Sequence, residues 1–102
     1  MPAAQYLPPS MLQTLINRGD EMIRIGDISA ARLLYERAAV AGNGQAAIAM
    51  GWTYDPMFLA KFRTRGIQGD LAVAVSWYRR ALALGVGEAE ERLAQLGVRQ
   101  GD

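Results

Sequence analysis

Along most of this chain apolar residues recur every three or four positions, the spacing that gathers them on one side of an α-helix. Met11, Leu12, Leu15, Ile16, Met22, Ile23 and Ile25 follow that period first. Ser10 with Gln13 fits the capping-box pattern, so a first helix is expected to begin at Ser10 and to end at Gly26. Gly19 lies inside it, at a cost of about 1 kcal/mol against Ala, which a close helix–helix approach explains. Asp27 then caps a second helix with an inward stripe of Ile28, Ala31, Tyr35, Ala38 and Ala39, and with Arg32 and Glu36 as a surface pair one turn apart. Gly42-Asn43-Gly44 is a tight turn, and a third helix runs from about Gln45 to Tyr54 with Gly51 inside it. Asp55-Pro56 reads as an N-cap followed by Pro at the first helical position, so a short helix is expected near Pro56 to Phe62, then a loop.

The clearest helix is the next one. Asp70 caps it and Gly85 ends it. Leu71, Ala74, Val75, Tyr78, Ala81 and Leu82 form one apolar face, and Val73, Trp77 and Leu84 form another, the pattern of a helix covered on both sides. Glu88 to Leu96 makes a fifth helix, with Ala89, Leu93 and Leu96 inward and Glu90, Glu91, Arg92 and Gln95 outward, as a terminal cap requires.

These helices repeat. Gly, Asp, Ala, Tyr, Arg, Ala and Gly recur in register at Gly26/Gly69, Asp27/Asp70, Ala31/Ala74, Tyr35/Tyr78, Arg37/Arg80, Ala38/Ala81 and Gly42/Gly85. A fixed offset of this size is the signature of a helical repeat. Gly19 and Gly51 correspond at a shorter offset, so the second unit carries an insertion between Tyr54 and Gly69. The expected architecture is all-α: a short right-handed α-solenoid of about two helix-turn-helix units and a C-terminal capping helix, with a short extra helix in the 55–65 insertion. Residues 1–9, rich in proline, are expected to be extended, 10–97 to form the helical domain, and 98–102 to fray.

Ala46, Met50-Gly51, Tyr54, Gly66-Ile67, Asp70, Ala74, Trp77-Tyr78, Arg80, Ala81 and Gly85 follow one another in an order that resembles the Sel1-like branch of the tetratricopeptide repeat superfamily. Gly26-Asp27, Ala31, Leu34-Tyr35, Arg37, Ala38-Ala39 and Gly42 match it less fully, with Leu34 in place of Trp. The 55–65 insertion departs from the pattern. The resemblance implies a scaffold or adaptor, bacterial in character, whose first helices line a groove for partner peptides. The groove positions it implies are Ile16, Asp20 and Ile23 in the first unit and Ile48, Trp52 and Asp55 in the second. Trp77 occupies the aromatic position expected in the core.

Composition narrows the chemistry. The formal net charge is +1, with no Cys and no His. Thiolate chemistry, disulfides and the commonest general base and metal ligand are therefore absent. Asp27, Asp55 and Asp70 are accounted for as caps, and Glu88, Glu90 and Glu91 open a helix. No catalytic site, cofactor site or metal site is expected. Lys61, Arg63 and Arg65 with Arg79 and Arg80 form a basic cluster beside Phe58 and Phe62. That cluster offers a second reading, an accessory domain for anions, although a near-zero net charge argues against nucleic acid. A third reading is a structural block that self-associates through an open end. The first choice is a protein-interaction module, part of a larger protein or assembly, using Ile16, Asp20, Ile23, Ile48, Trp52 and Asp55 or the insertion residues Phe58, Lys61, Arg63 and Arg65. The sequence leads us to expect no signal peptide and no membrane-spanning run in this chain, and nothing in it fixes a compartment.

Overall fold

Four helices of the protein begin on an Asp or Asn side-chain cap. In the computed structural model, which describes residues 6–62 and 66–98, six helices follow in order. They are α1 (Pro9–Arg24), α2 (Ile28–Val40), α3 (Gly44–Tyr54), α4 (Pro56–Leu59), α5 (Leu71–Ala83) and α6 (Glu88–Gln95). No strand occurs among the described residues. Met1 to Gln5 and the last four positions of the expected frayed tail lie outside them.

The joints α1–α2 and α2–α3 are each three residues long and serve both sides. Gly26 and Gly42 have φ of 81° and 95°, the left-handed conformation that ends a helix. The next residue donates its N–H back: Asp27 N to Met22 O at 2.8 Å, and Asn43 N to Ala38 O at 3.2 Å. The side chain of that same residue caps the following helix, Asp27 accepting from Ala30 N at 3.0 Å and Asn43 from Ala46 N at 2.9 Å. One Gly-Asx pair therefore closes one helix and opens the next. Asp70 caps α5 in the same way, accepting from Val73 N at 3.1 Å.

The start of α1 departs from the capping-box expectation. Pro9 is the first helical residue, and Pro8 O accepts from both Met11 N and Leu12 N at 3.0 Å. Proline's fixed φ and missing N–H suit the first helical position. Ser10 is consequently inside the helix, and Gln13 donates to Asn17 instead. The extra helix is also shorter than expected, ending at Leu59.

Each main helix packs on its chain neighbour: α1 on α2, α2 on α3, α3 on α5 and α5 on α6, with α4 on α3. The expected stripe of α2 is buried throughout. On α3 every residue from Ala46 to Gly51 is buried. Small residues on both flanks let α2 and α5 approach it from two sides. At each hairpin a tyrosine ring fills a glycine notch. A Cβ on Gly19 or on Gly51 would come closer than 3.0 Å to the ring of Tyr35 or Tyr78, a separation that real side chains do not show. Glycine is thus required by close approach at both positions.

Two expectations about surfaces are corrected. Arg32 does not pair with Glu36. Its guanidinium crosses to α3 and donates to Thr53 O at 2.5 Å, where carbonyls at a helix C-terminus attract a cation. The second face of α5 is only partly covered: Val73 and Trp77 are half-buried, with Arg80 stacked on Trp77 at 5.3 Å, and Leu84 is 43% exposed. Among the described residues only α3 and α6 pack closely on α5, so no further helix completes the cover of that face.

Candidate functional site

The insertion after α3 is tied at its base. Asp55, 2% exposed, uses one carboxylate oxygen to cap α4, accepting from Met57 N at 2.8 Å and from Phe58 N at 3.4 Å. Its other oxygen accepts from the Tyr78 hydroxyl at 2.7 Å. At the far end Asp70 N donates to Tyr54 O at 2.7 Å, so the two ends of the segment meet. Gly69 fits between Tyr54 O and Pro56, each 3.0 Å from where a Cβ would stand. Arg32 completes the clamp. It donates to Gln68 O at 3.1 Å while its guanidinium lies 3.8 Å above the Tyr54 ring. A loop whose ends are pinned together in this way is a compact surface element, a type frequently used in recognition.

On this base sits a row of aromatic rings. Trp52 of α3 stacks on Phe58 of α4 at 5.7 Å with the planes 13° apart, and Phe58 meets Phe62 at 5.2 Å. The Lys61 ammonium lies 5.8 Å from the Phe58 ring centre. Beyond Phe58 a cleft of about 540 Å³ separates the insertion from α6. Met57, Phe58 and Lys61 form one wall, and Glu88, Glu91, Arg92 and Gln95 form the other. Arg92, half-buried, and Glu88, exposed, stand 3.9 Å apart, a surface pair of little energetic weight. The cleft thus has an apolar wall on one side and mixed charge on the other.

The two buried tyrosines carry the perturbed ionisations. Burial pushes the Tyr78 phenol well above its usual value, and the Asp55 carboxylate it bonds adds to the rise. Tyr35 is raised for the same reasons, with Asp20 accepting from its hydroxyl at 2.5 Å. Both phenols are held neutral as hydrogen-bond donors. Among the described residues no cluster of three acids is placed to hold a metal ion, and no helix is long and apolar enough to cross a membrane.

The residues proposed from the sequence separate into three groups. Ile16, Asp20 and Ile23 are half-buried on α1, with Asp20 engaged by Tyr35. Ile48 is fully buried and Asp55 nearly so. Their assignment to an open groove is therefore corrected: α2 and α5 enclose α3, and the insertion closes over its end. Trp52, Phe58 and Lys61 are brought together by the stack. Arg63 and Arg65 lie outside the described residues. Lys61 rests on Phe58 while Arg80 rests on Trp77, so these two cations of the basic cluster serve different rings.

Sequence reasoning missed the α6 wall. Glu91, Arg92 and Gln95 read as an outer face and Glu88 as an acid opening the helix, and only the fold shows that the insertion stands opposite them. It also missed Arg32 as the arm that holds the insertion to α2. Comparison of the chain with family models, curated proteins and solved structures finds no match.

Proposed function

We propose that this chain is a non-catalytic protein-interaction module, a short right-handed α-solenoid of Sel1-like type, and that it meets its partner through the insertion and α6. The observation that carries the reading is the cleft of about 540 Å³ between α4 and α6, whose Phe58 wall stands on a base pinned by Asp55, Asp70 and Arg32. A rigid scaffold that displays a tied loop is the usual arrangement for recognition. The repeated notches Gly19/Tyr35 and Gly51/Tyr78, and the packing of each main helix on its chain neighbour, support the solenoid.

The N-terminal end favours this surface over self-association. Ala46 and Met50 of α3, and Ala89 and Leu93 of α6, are buried. The positions that correspond to them in α1 are Thr14 and Arg18, both exposed. That side of α1 is polar where a preceding helix would need apolar contact.

The test is site-specific photocrosslinking in the cells that make the protein, with a photoreactive phenylalanine placed in turn at Met57, Gln95 and Leu33. Leu33 is 73% exposed on α2, away from the cleft, and serves as the control. A discrete adduct from positions 57 and 95 but not from 33 is expected. No adduct, or the same adducts from all three, overturns the reading.

A further inference from the structure

Trp52 stands where the first hairpin has Asp20, and Asp55 stands where the first hairpin has Ile23, counting from Gly51 and Gly19 respectively. In the first hairpin the position is occupied by the carboxylate that accepts from Tyr35. In the second, Asp55 serves Tyr78 instead. The position after Gly51 is thereby released from holding the tyrosine, and it carries an indole on the side of α3 that faces the insertion.

That indole is covered but not satisfied. Phe58 stacks on the ring, yet Trp52 Nε1 is buried with no acceptor among the described residues. Buried donors are almost always paired, and an unpaired one marks a state that another arrangement improves. The cover is slight. It is a helix of four residues that packs chiefly on α3, with the cleft of about 540 Å³ on its other side and Met57 53% exposed. The pins at Asp55 and Asp70 lie at the two ends of the segment, so α4 leaves Trp52 by giving up the Asp55 cap and the burial of Leu59, while Asp55 keeps Tyr78 and Tyr54 O keeps Asp70 N.

We propose that α4 is a displaceable strap. Phe58 occupies the face of Trp52 in place of an aromatic side chain from an extended partner segment. When that segment binds, α4 swings toward the cleft and a backbone carbonyl of the partner accepts the Trp52 indole N–H. This rests on the interaction-module reading. The driving force is differential: the open state offers the partner a ring face and a free donor, and the closed state offers neither.

Hydrogen exchange on the intact chain tests the motion. The Trp52 indole N–H is expected to exchange together with the Leu59 and Ala60 amides, about 100-fold faster than amides in the middle of α5. Protection of all three equal to that of α5 overturns the strap. The occupant is tested with a blocked octapeptide, Asp-Pro-Met-Phe-Leu-Ala-Lys-Phe, which repeats residues 55–62 of the chain itself. A Phe58→Ala variant, with the ring gone from Trp52, is expected to bind it about tenfold more tightly than the unaltered chain. The Trp52 indole resonance should move on binding, and a peptide with its first Phe changed to Ala should not move it. Equal affinity for the two proteins, or binding that leaves the indole resonance in place, overturns the proposal. Failure of the peptide to bind either protein, while Met57 and Gln95 still crosslink a partner, removes the strap and leaves the interaction module standing.

Discussion

The two hairpins of this protein share one clasp and finish it differently. In α1–α2 and in α3–α5 a tyrosine from the second helix lies in a glycine notch on the first. In the first hairpin the hydroxyl is held by Asp20, the residue after the notch glycine. In the second it is held by Asp55, one helical turn further on, at the point where α3 ends. Moving the carboxylate by one turn changes what it does. Asp20 joins two helices, whereas Asp55 joins two helices and also caps α4. The insertion is therefore wired into the core of the second hairpin, and the first hairpin is a self-contained version of the same unit.

Substitution of the notch glycines should affect both hairpins alike. Gly19→Ala and Gly51→Ala each place a methyl group where a buried ring lies. Each is expected to cost about 3 kcal/mol, the upper part of the range for overpacking. Urea denaturation of the two variants checks it. A near-neutral result for either would mean that its ring moves aside freely, and the two clasps would not be equivalent.

Alkali should strain both clasps at once. Burial and the neighbouring carboxylate raise both phenol pKa values above the usual 10.0, so the folded chain retains two protons that the unfolded chain releases. The stability tied to them is complete below about pH 10 and falls above it, approaching about 1.4 kcal/mol per pH unit for each tyrosine. Stability measured from pH 9 to 11.5 should show this slope. Tyr35→Phe and Tyr78→Phe should each remove about half of it, and an unchanged slope in either variant would count against that phenol.

The aspartates should separate the hairpins. Asp55→Ala leaves the buried Tyr78 hydroxyl unpaired and α4 uncapped, and is expected to cost about 2 kcal/mol. Asp20→Ala exposes a half-buried site to water and improves helix propensity, so its cost should stay below about 1 kcal/mol. Asp55→Ala should also shift the emission of Trp52, which Asp20→Ala should leave unchanged. Equal costs would mean that capping α4 adds nothing.

Much of the helical framework was legible because it is written in local signals. Gly26, Asp27, Gly42, Asp70 and Gly85 act through their own backbone and side-chain geometry, which needs no tertiary context. The recurrence of Gly51 and Tyr78 after Gly19 and Tyr35 placed the clasps in register. The site was less legible because its parts are distant in sequence. Asp55 reads as an ordinary cap, and its second oxygen finds Tyr78 only after α5 has folded back on α3. The resemblance implies a groove position for Ile48, but α3 is enclosed from two sides and Ile48 is buried, which the sequence pattern does not show. The charged residues of α6 are polar whether they face solvent or a cleft.

Arg32 offers the smallest and most specific test of the contrast between the hairpins. Its counterpart in α5 is Val75, a side chain with no hydrogen-bond donor. Arg32 reaches two carbonyls, Thr53 O and Gln68 O, from one planar group, and lays that plane on Tyr54. Lysine keeps the charge but cannot span both acceptors or stack in the same way. Arg32→Lys is therefore expected to cost about 1 kcal/mol, through lost geometry and not lost charge. The loss should concentrate on the insertion: hydrogen exchange at Leu59 and Ala60 should quicken while that of α1 stays fixed. If exchange quickened equally in α1, Arg32 would be a general brace for the stack, and the insertion would depend on Asp55 and Asp70 alone.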